Sequence, residues 1–448
     1  MWVMDKYLAG EIACPTKLTL VPLVAATYFI VAGGPFGLED IVARAGYAGA
    51  ILILLATPVV WAFPSALMVS ELASTIPEEG GYYVWVTRSI GPFWGFQEAW
   101  LSLAGSVFDM AIYPTLFVSY LGHFAPAVTA GWRGIAIGVA LVGVAAAWNL
   151  AGAKAVGDSS VVMAILLLAP FAVLSAYAAT HHGAAPSHAA SPVRFDLLGG
   201  ILVAMWNYMG FDNTSTIAGE VDRPQRTYPR AMAGTVAIIA LSYVVPIGAV
   251  ALTGLPLAQW STGGWADVAR GVFGSNPAGP AIAFSITAVG MMAAAGTLLG
   301  LTLALSRLPA VLAQDGYLPR VLARRNPSTG VPWVAVLACA AAWAACLGLS
   351  FSKLVMLDVL LTGLSILLEF AALVALRIRE PLLPRPYKVP GGLWGAIGIG
   401  IPPLALLILT VVRNQAEPVG PINALQLGTI LIGLGVVAYF LRARKQRT

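Results

Sequence analysis

Apolar runs long enough to cross a bilayer follow one another along almost the whole chain, at approximately 18–46, 48–75, 92–121, 133–150, 159–179, 196–217, 232–253, 280–305, 332–350, 354–376, 393–412 and 424–441. One bilayer crossing takes about 20 apolar residues, so the pattern predicts twelve transmembrane helices in a single unit over 1–448. Hydrophobic residues make up 59% of the 448 and charged residues only 10%. A soluble fold of that size would lack the charges its surface needs. The expected class is all-α and polytopic.

Lys and Arg set the orientation, because cytoplasmic loops carry their excess. With both termini inside, only Arg44, Arg133, Arg194, Arg270, Lys353 and Arg413 fall outside, and every other one of the 25 falls inside. One missed span would scramble this division. The formal charge of +5 is then a topology signal in a cell membrane, plasma or bacterial inner, and not a mark of nucleic-acid binding.

Absences narrow the chemistry. Residues 1–17 have no apolar h-region, so no cleavable signal is expected and the first span serves for insertion. Cys14, Cys339 and Cys346 are placed for no structural disulfide. No C-x-x-C, H-E-x-x-H or G-x-x-x-x-G-K-[ST] occurs, which argues against a metal hydrolase or a self-powered ATPase; no cofactor, metal or nucleic-acid partner is expected. His123, His181, His182 and His188 fall in predicted outer loops and read as solvated.

Two runs are interrupted. In the first, Ala32-Gly33-Gly34-Pro35-Phe36-Gly37 is followed directly by Glu39 and Asp40. A lipid-facing helix must satisfy its own backbone, so such a stretch belongs beside a protein-lined or wet cavity. In the sixth, Asn207, Gly210, Asp212 and Asn213 break the apolar pattern. Five spans separate the breaks, so the two helices run in opposite directions, as in an inverted five-plus-five repeat with discontinuous helices 1 and 6 at its interface. The repeats would cover 18–179 and 196–376, with two further helices in 393–441.

Ionised side chains at bilayer depth cost roughly 2.5–3.5 kcal/mol on insertion scales. Glu39, Asp40, Glu98, Asp109, Asp212 and Glu369 lie within predicted spans, with no Lys or Arg deep among them. A cationic substrate, protons, or both must supply the missing charge. Eleven residues are close to three helical turns, so Glu98 and Asp109 share one face with Ser102 and Gly105. Asp212 lies where freed carbonyls at a half-helix end already favour a cation. Glu39 and Asp40 read either as first-turn acids complementing a helix dipole or as charges that repel a substrate carboxylate from the break, where Pro35 has no N–H to offer. Glu71 near the end of span two, Asp158 with Ser159 as the cap of span five, and Glu220 and Asp222 beside Arg223 and Arg226 read as structural.

The run Ala32 to Asp40, the segment Ser70-Glu71-Leu72 through Pro77-Glu78-Glu79-Gly80-Gly81-Tyr82-Tyr83, the run Gly91 to Glu98 and the stretch Ala218 to Pro229 together resemble the amino acid, polyamine and organocation transporter superfamily. The Gly-Gly-Pro-Phe-Gly form followed by Glu-Asp is most similar to its polyamine uptake branch. The resemblance spans essentially the whole chain and implies a LeuT-type fold and secondary transport, or symport, by alternating access. It also implies that the stretch around Asp109 lines the substrate cavity and that Trp206 is the gating aromatic of span six, its ring suited to an ammonium. Candidate substrate-binding residues are therefore Gly33, Gly34, Glu39, Asp109, Trp206, Tyr208 and Asp212. Candidate gating or proton-coupling residues are Asp40, Glu98 and Glu369.

One departure stands out: the lysine that some sodium-independent members place in span five is missing, since Val161 to Pro170 is wholly apolar. The loop Gly122 to Arg133 has no Cys, so no disulfide-linked accessory chain is expected. The leading expectation is a carrier of polyamines such as putrescine or spermidine, coupled to protons. An amino acid permease or exchanger of the same fold, and a substrate-sensing membrane subunit without net transport, are the alternatives.

Overall fold

The computed structural model describes residues 18–78, 80–151, 159–181, 183, 196–215 and 221–445. Cys14, Glu79, Asp158, His182, His188 and Glu220 lie outside these residues, as do Lys6, Lys17, Lys154 and Arg194.

Nearly every apolar run is helical. In chain order the helices that matter are α1 (Leu20–Val31), α2 (Glu39–Thr75), α3 (Gly81–Ile90), α4 (Pro92–Gly122), α5 (Trp132–Leu150), α6 (Ser159–Thr180), α7 (Leu197–Asn207), α8 (Pro224–Thr253), α9 (Trp265–Phe273), α10 (Gly279–Leu305), α11 (Trp333–Ala345), α12 (Phe351–Arg379), α13 (Gly392–Asn414) and α14 (Ala424–Lys445). Among the described residues, nine helices are long and apolar enough to cross a membrane, and α1 and α11 are shorter apolar helices. A lone two-residue β-hairpin, Pro418–Val419 with Ile422–Asn423, leads into α14.

The first run is broken where its glycines and proline stand. α1 ends at Val31 and helix resumes at Glu39, with Gly33 (φ 59°), Gly34 (φ 108°) and Gly37 (φ 77°) in conformations that side chains disfavour. Backbone groups freed there are met by side chains: Trp265 Nε1 donates to the Pro35 carbonyl at 2.7 Å, and the Gly37 N–H donates to Tyr120 Oη at 3.4 Å. The sixth run breaks likewise. α7 stops at Asn207, Gly210 takes φ 104°, and a single tight turn follows over 212–215. Tyr243 and Tyr228 hydroxyls cap the Asn207 and Thr214 carbonyls.

The breaks lie against each other. A Cβ on Gly210 would stand 3.4 Å from the Ile30 carbonyl oxygen, and one on Gly37 would stand 3.1 Å from the Trp206 ring. α2 itself is two pieces, since Gly46 (φ 67°, ψ 176°) turns the chain within it and a π-helical turn over Pro58–Ala62 follows. At the far end of the first piece, Arg44 pairs with Asp196 at 2.9 Å, and Asp196 caps α7 through the Gly199 N–H.

α4 and α12 share the most extensive helix interface. Within lipid, apolar area gives no preference for helix over solvent, so association depends on close packing and interhelical hydrogen bonds. Gly105 provides the closeness. A Cβ there would collide with Thr362 Oγ1 and lie 3.3 Å from Asp358 Oδ1.

Candidate functional site

A cavity with about 540 Å³ of empty space, counting its open side, lies where the two breaks meet α4, α10 and α12. Ile30 and Val31 come from the end of α1, Met209 to Asn213 from the second break, and Leu301 and Leu305 from α10. The space open to a water-sized sphere within it is only about 50 Å³, well below the volume of an open small-molecule site. Three carboxylates line it, Asp109, Asp212 and Asp358, with Tyr82, Tyr113 and Trp206 between them. Among the described residues no Lys or Arg joins that lining.

Asp109 is held by neutral donors. Trp206 Nε1 donates to its Oδ1 at 3.0 Å, and the Tyr113 hydroxyl stands 3.3 and 3.4 Å from its two oxygens. Such donors occupy the carboxylate oxygens without supplying a charge. Trp206 is fixed edge-on against Phe351, ring centroids 5.7 Å apart, and tilted toward Tyr113 at 6.3 Å. The expected gating aromatic therefore acts here first as a hydrogen-bond donor.

Asp358 is the residue that sequence reasoning missed. It lies one turn from Thr362, whose hydroxyl donates to its Oδ1 at 2.8 Å, while Oδ2 is buried with no hydrogen-bond partner among the described residues. A buried acceptor without a donor is costly, and this one belongs to a cavity-lining side chain. The signal was present. Asp358, Thr362, Ser365 and Glu369 repeat on α12 the spacing of Glu98, Ser102, Gly105 and Asp109 on α4, so each set forms one stripe. Ser102 meets Ser365, Gly105 meets Thr362, and the numbering runs in opposite directions on the two helices.

Of the other expected residues, Asp212 lines the cavity and is 6% exposed. Gly33 and Gly34 do not line it; they pack on Thr297 and Leu167, where a Cβ would crowd. Tyr208 turns away, donating to the Leu54 carbonyl at 2.9 Å. Glu39 is fully buried outside the lining, its Oε1 accepting from Tyr120 at 2.9 Å and its Oε2 unpartnered. Tyr120 reaches both the Gly37 N–H and this carboxylate. Asp40 accepts from Thr262 at 2.7 Å and faces Ser352 at 3.5 Å, on the side of the Arg44–Asp196 pair.

Glu98 and Glu369 are fully buried between α4 and α12 and lie outside the lining. Glu71 has a larger structural role than the sequence suggested. Arg377 grips both its oxygens, with Nε–Oε1 at 2.9 Å, and the Val389 N–H donates to it at 2.7 Å, with Arg385 Nε at 3.4 Å. That arginine is therefore no counter-charge for the cavity. Asp222 lies 3.6 Å from Arg223, as expected of neighbours in one loop. His123 is not simply solvated, since its Nδ1 lies 2.8 Å from Asp267, and His181 stacks on Tyr177 at 3.9 Å.

The profile of the amino acid permease family matches residues 24–437. A probable polyamine transporter of Arabidopsis thaliana is 35% identical over 407 residues, covering 88% of this chain and 82% of the relative. A second protein of that plant, named a polyamine transporter, is 32% identical over 93% of this chain and 84% of its own length. A polyamine transporter of Oryza sativa subsp. japonica is 32% identical, over 93% and 77% respectively.

Proposed function

The chain belongs to the amino acid permease family and is a membrane transporter, and from that premise we propose that it carries polyamines or related organic cations by proton-coupled alternating access. One observation carries the reading: Asp109, Asp212 and Asp358 line a single cavity that holds no cationic side chain among the described residues. An ammonium at each end of a flexible amine can meet a separate carboxylate, with Trp206 and Tyr113 offering ring faces along its apolar stem. The relatives named for polyamine transport support the same cargo.

The finer architecture belongs to this reading too: twelve spans in a LeuT-type fold, spans one to five and six to ten related by an inverted repeat, and both termini cytoplasmic in a plasma or inner membrane. Its support is the adjacency of the two breaks and the distribution of Lys and Arg along the sequence. Alternating access would then rock one repeat against the other around the cavity.

The test is a thermal-shift panel of putrescine, spermidine, agmatine, arginine and leucine on the purified protein. A ligand that binds only the folded state raises the melting temperature with concentration. Putrescine or spermidine should do so and leucine should not. Stabilisation by leucine or arginine alone would replace the proposal with an amino acid carrier.

A further inference from the structure

Beyond the cavity, α4 and α12 enclose a second acidic group. Ser102 Oγ lies 2.9 Å from Glu98 Oε1, Ser365 Oγ lies 2.8 Å from the same oxygen, and the two hydroxyls are 2.8 Å apart. Three oxygen–oxygen hydrogen bonds in a closed triangle need three hydrogens. The serines supply one each, so all three bonds form together only when the Glu98 carboxyl supplies the third. Glu98 Oε2 and both oxygens of Glu369 are buried with no hydrogen-bond partner among the described residues, and both residues are 0% exposed. Burying an isolated carboxylate without donors is so unfavourable that the group takes up a proton instead.

Among the described residues, the surroundings offer no other compensation. The titratable groups that face the pair are Tyr82 from α3 and Asp212 from the second break. Arg377, two turns further along α12, is occupied by Glu71. Among the described residues no cluster of His, Cys, Asp or Glu is arranged to hold a metal ion. Asp212 differs from the pair, since the backbone N–H groups of Asp212 and Asn213 approach its carboxylate and it borders the cavity.

We infer that Glu98 and Glu369 form a proton site, separate from the cation cavity, that surrenders a proton when an ammonium group arrives at Asp212. This assignment rests on the cationic cargo proposed above, because the cargo's charge is what displaces the proton. The O–H bond of Glu369 breaks, its electron pair stays on the carboxylate, and the proton passes to cavity water and then to buffer. Net charge in the buried region is the same before and after: a neutral pair beside one carboxylate becomes two carboxylates beside one ammonium. Tyr82, within electrostatic reach of Glu98, Glu369 and Asp212, stands between the sealed pair and the cavity it lines.

The test is calorimetric titration of the full chain with spermidine in buffers of different ionisation enthalpy, which counts protons exchanged per amine bound. Wild type should release about one proton, and its affinity should rise by up to about tenfold per pH unit while the site is protonated. Glu369→Gln should still bind spermidine, with proton release near zero and a flat pH dependence. Glu369→Met, apolar and of similar length, is the second variant should the first not fold, and it should lose the released proton as well. Binding with an unchanged proton count in the folded variant, or proton uptake by wild type, overturns the proton site alone. No binding of spermidine or putrescine by wild type overturns the cationic cargo, and the role of the pair with it.

Discussion

Ser102 and Ser365 meet hydroxyl to hydroxyl at 2.8 Å, midway along two polar stripes that lie face to face. Glu98, Ser102, Gly105 and Asp109 on α4 oppose Glu369, Ser365, Thr362 and Asp358 on α12. Eleven residues of helix rise about 16 Å, so the stripes bring a carboxylate pair to each end of one contact. The cavity reaches the Asp109–Asp358 end, and the other end is sealed.

Asp109→Asn, Asp212→Asn and Asp358→Asn should each weaken spermidine binding. A charge-assisted hydrogen bond contributes on the order of 1.5–3 kcal/mol, so affinity should fall roughly 10- to 150-fold. The exposed Glu417 provides the control as Glu417→Gln. A binding titration at fixed pH and salt decides it, and unchanged affinity in all three variants would make these carboxylates structural.

Gly105→Ala should separate α4 from α12. The added methyl collides with Thr362 Oγ1 and crowds Asp358, and overpacking of this kind costs about 1–3 kcal/mol. Thermal denaturation should show a lower melting temperature, and titration a weaker affinity. A variant as stable and as tight as wild type would contradict the close approach.

Glu71→Gln or Arg377→Met should be the most destabilising changes outside the cavity. Both side chains are nearly inaccessible, at 1% and 4%, and removing one member of a buried pair costs about 3–5 kcal/mol. The double variant Glu71→Gln with Arg377→Met should cost less than the sum of the singles, read from denaturation midpoints. Strict additivity would mean that the two do not act as a pair.

Stability should depend on acid through Glu380, just past the end of α12. Arg88 donates to both of its oxygens, at 3.1 and 2.7 Å, and holds the carboxyl below the usual glutamate range, with Arg385 adding to the effect. A depressed folded value means that the contribution is complete above the unfolded glutamate pKa and is lost as pH falls through the folded one. Both groups are exposed, so the effect is small. Melting temperatures of wild type and Arg88→Gln should differ near neutrality and converge in acid; a gap that persists in acid would assign the difference to something other than this pair.

Both helix breaks were legible in the sequence because polar, Gly and Pro residues are conspicuous inside an apolar run of about 20 residues. Asp109 and Asp212 could be named for the same reason, and Trp206 from the family resemblance. What local pattern does not carry is which face of one helix meets which neighbour. Glu39 was read with its own helix end, yet its surroundings are set by Tyr120 on α4. Glu71 looked bland because Arg377, its partner, is 306 residues away. Asp358 escaped notice although it opens a stripe with the spacing already recognised on α4, since the spacing acquires meaning only once α4 and α12 are set side by side.

Gly46 makes the two sides of the first break mechanically unequal. It turns the chain with no loop between residues 39–45 and the remainder of α2, so the helical segment after the break is the short arm of a crank whose long arm is the rest of α2. Displacing one drags the other and everything packed on it, whereas α1 is joined to the break only through the non-helical stretch 32–38. The compliant wall of the cavity is thus α1, and a disulfide or crosslink tying α1 to α8, against which it packs, would arrest motion that the same restraint placed across Gly46 would leave untouched.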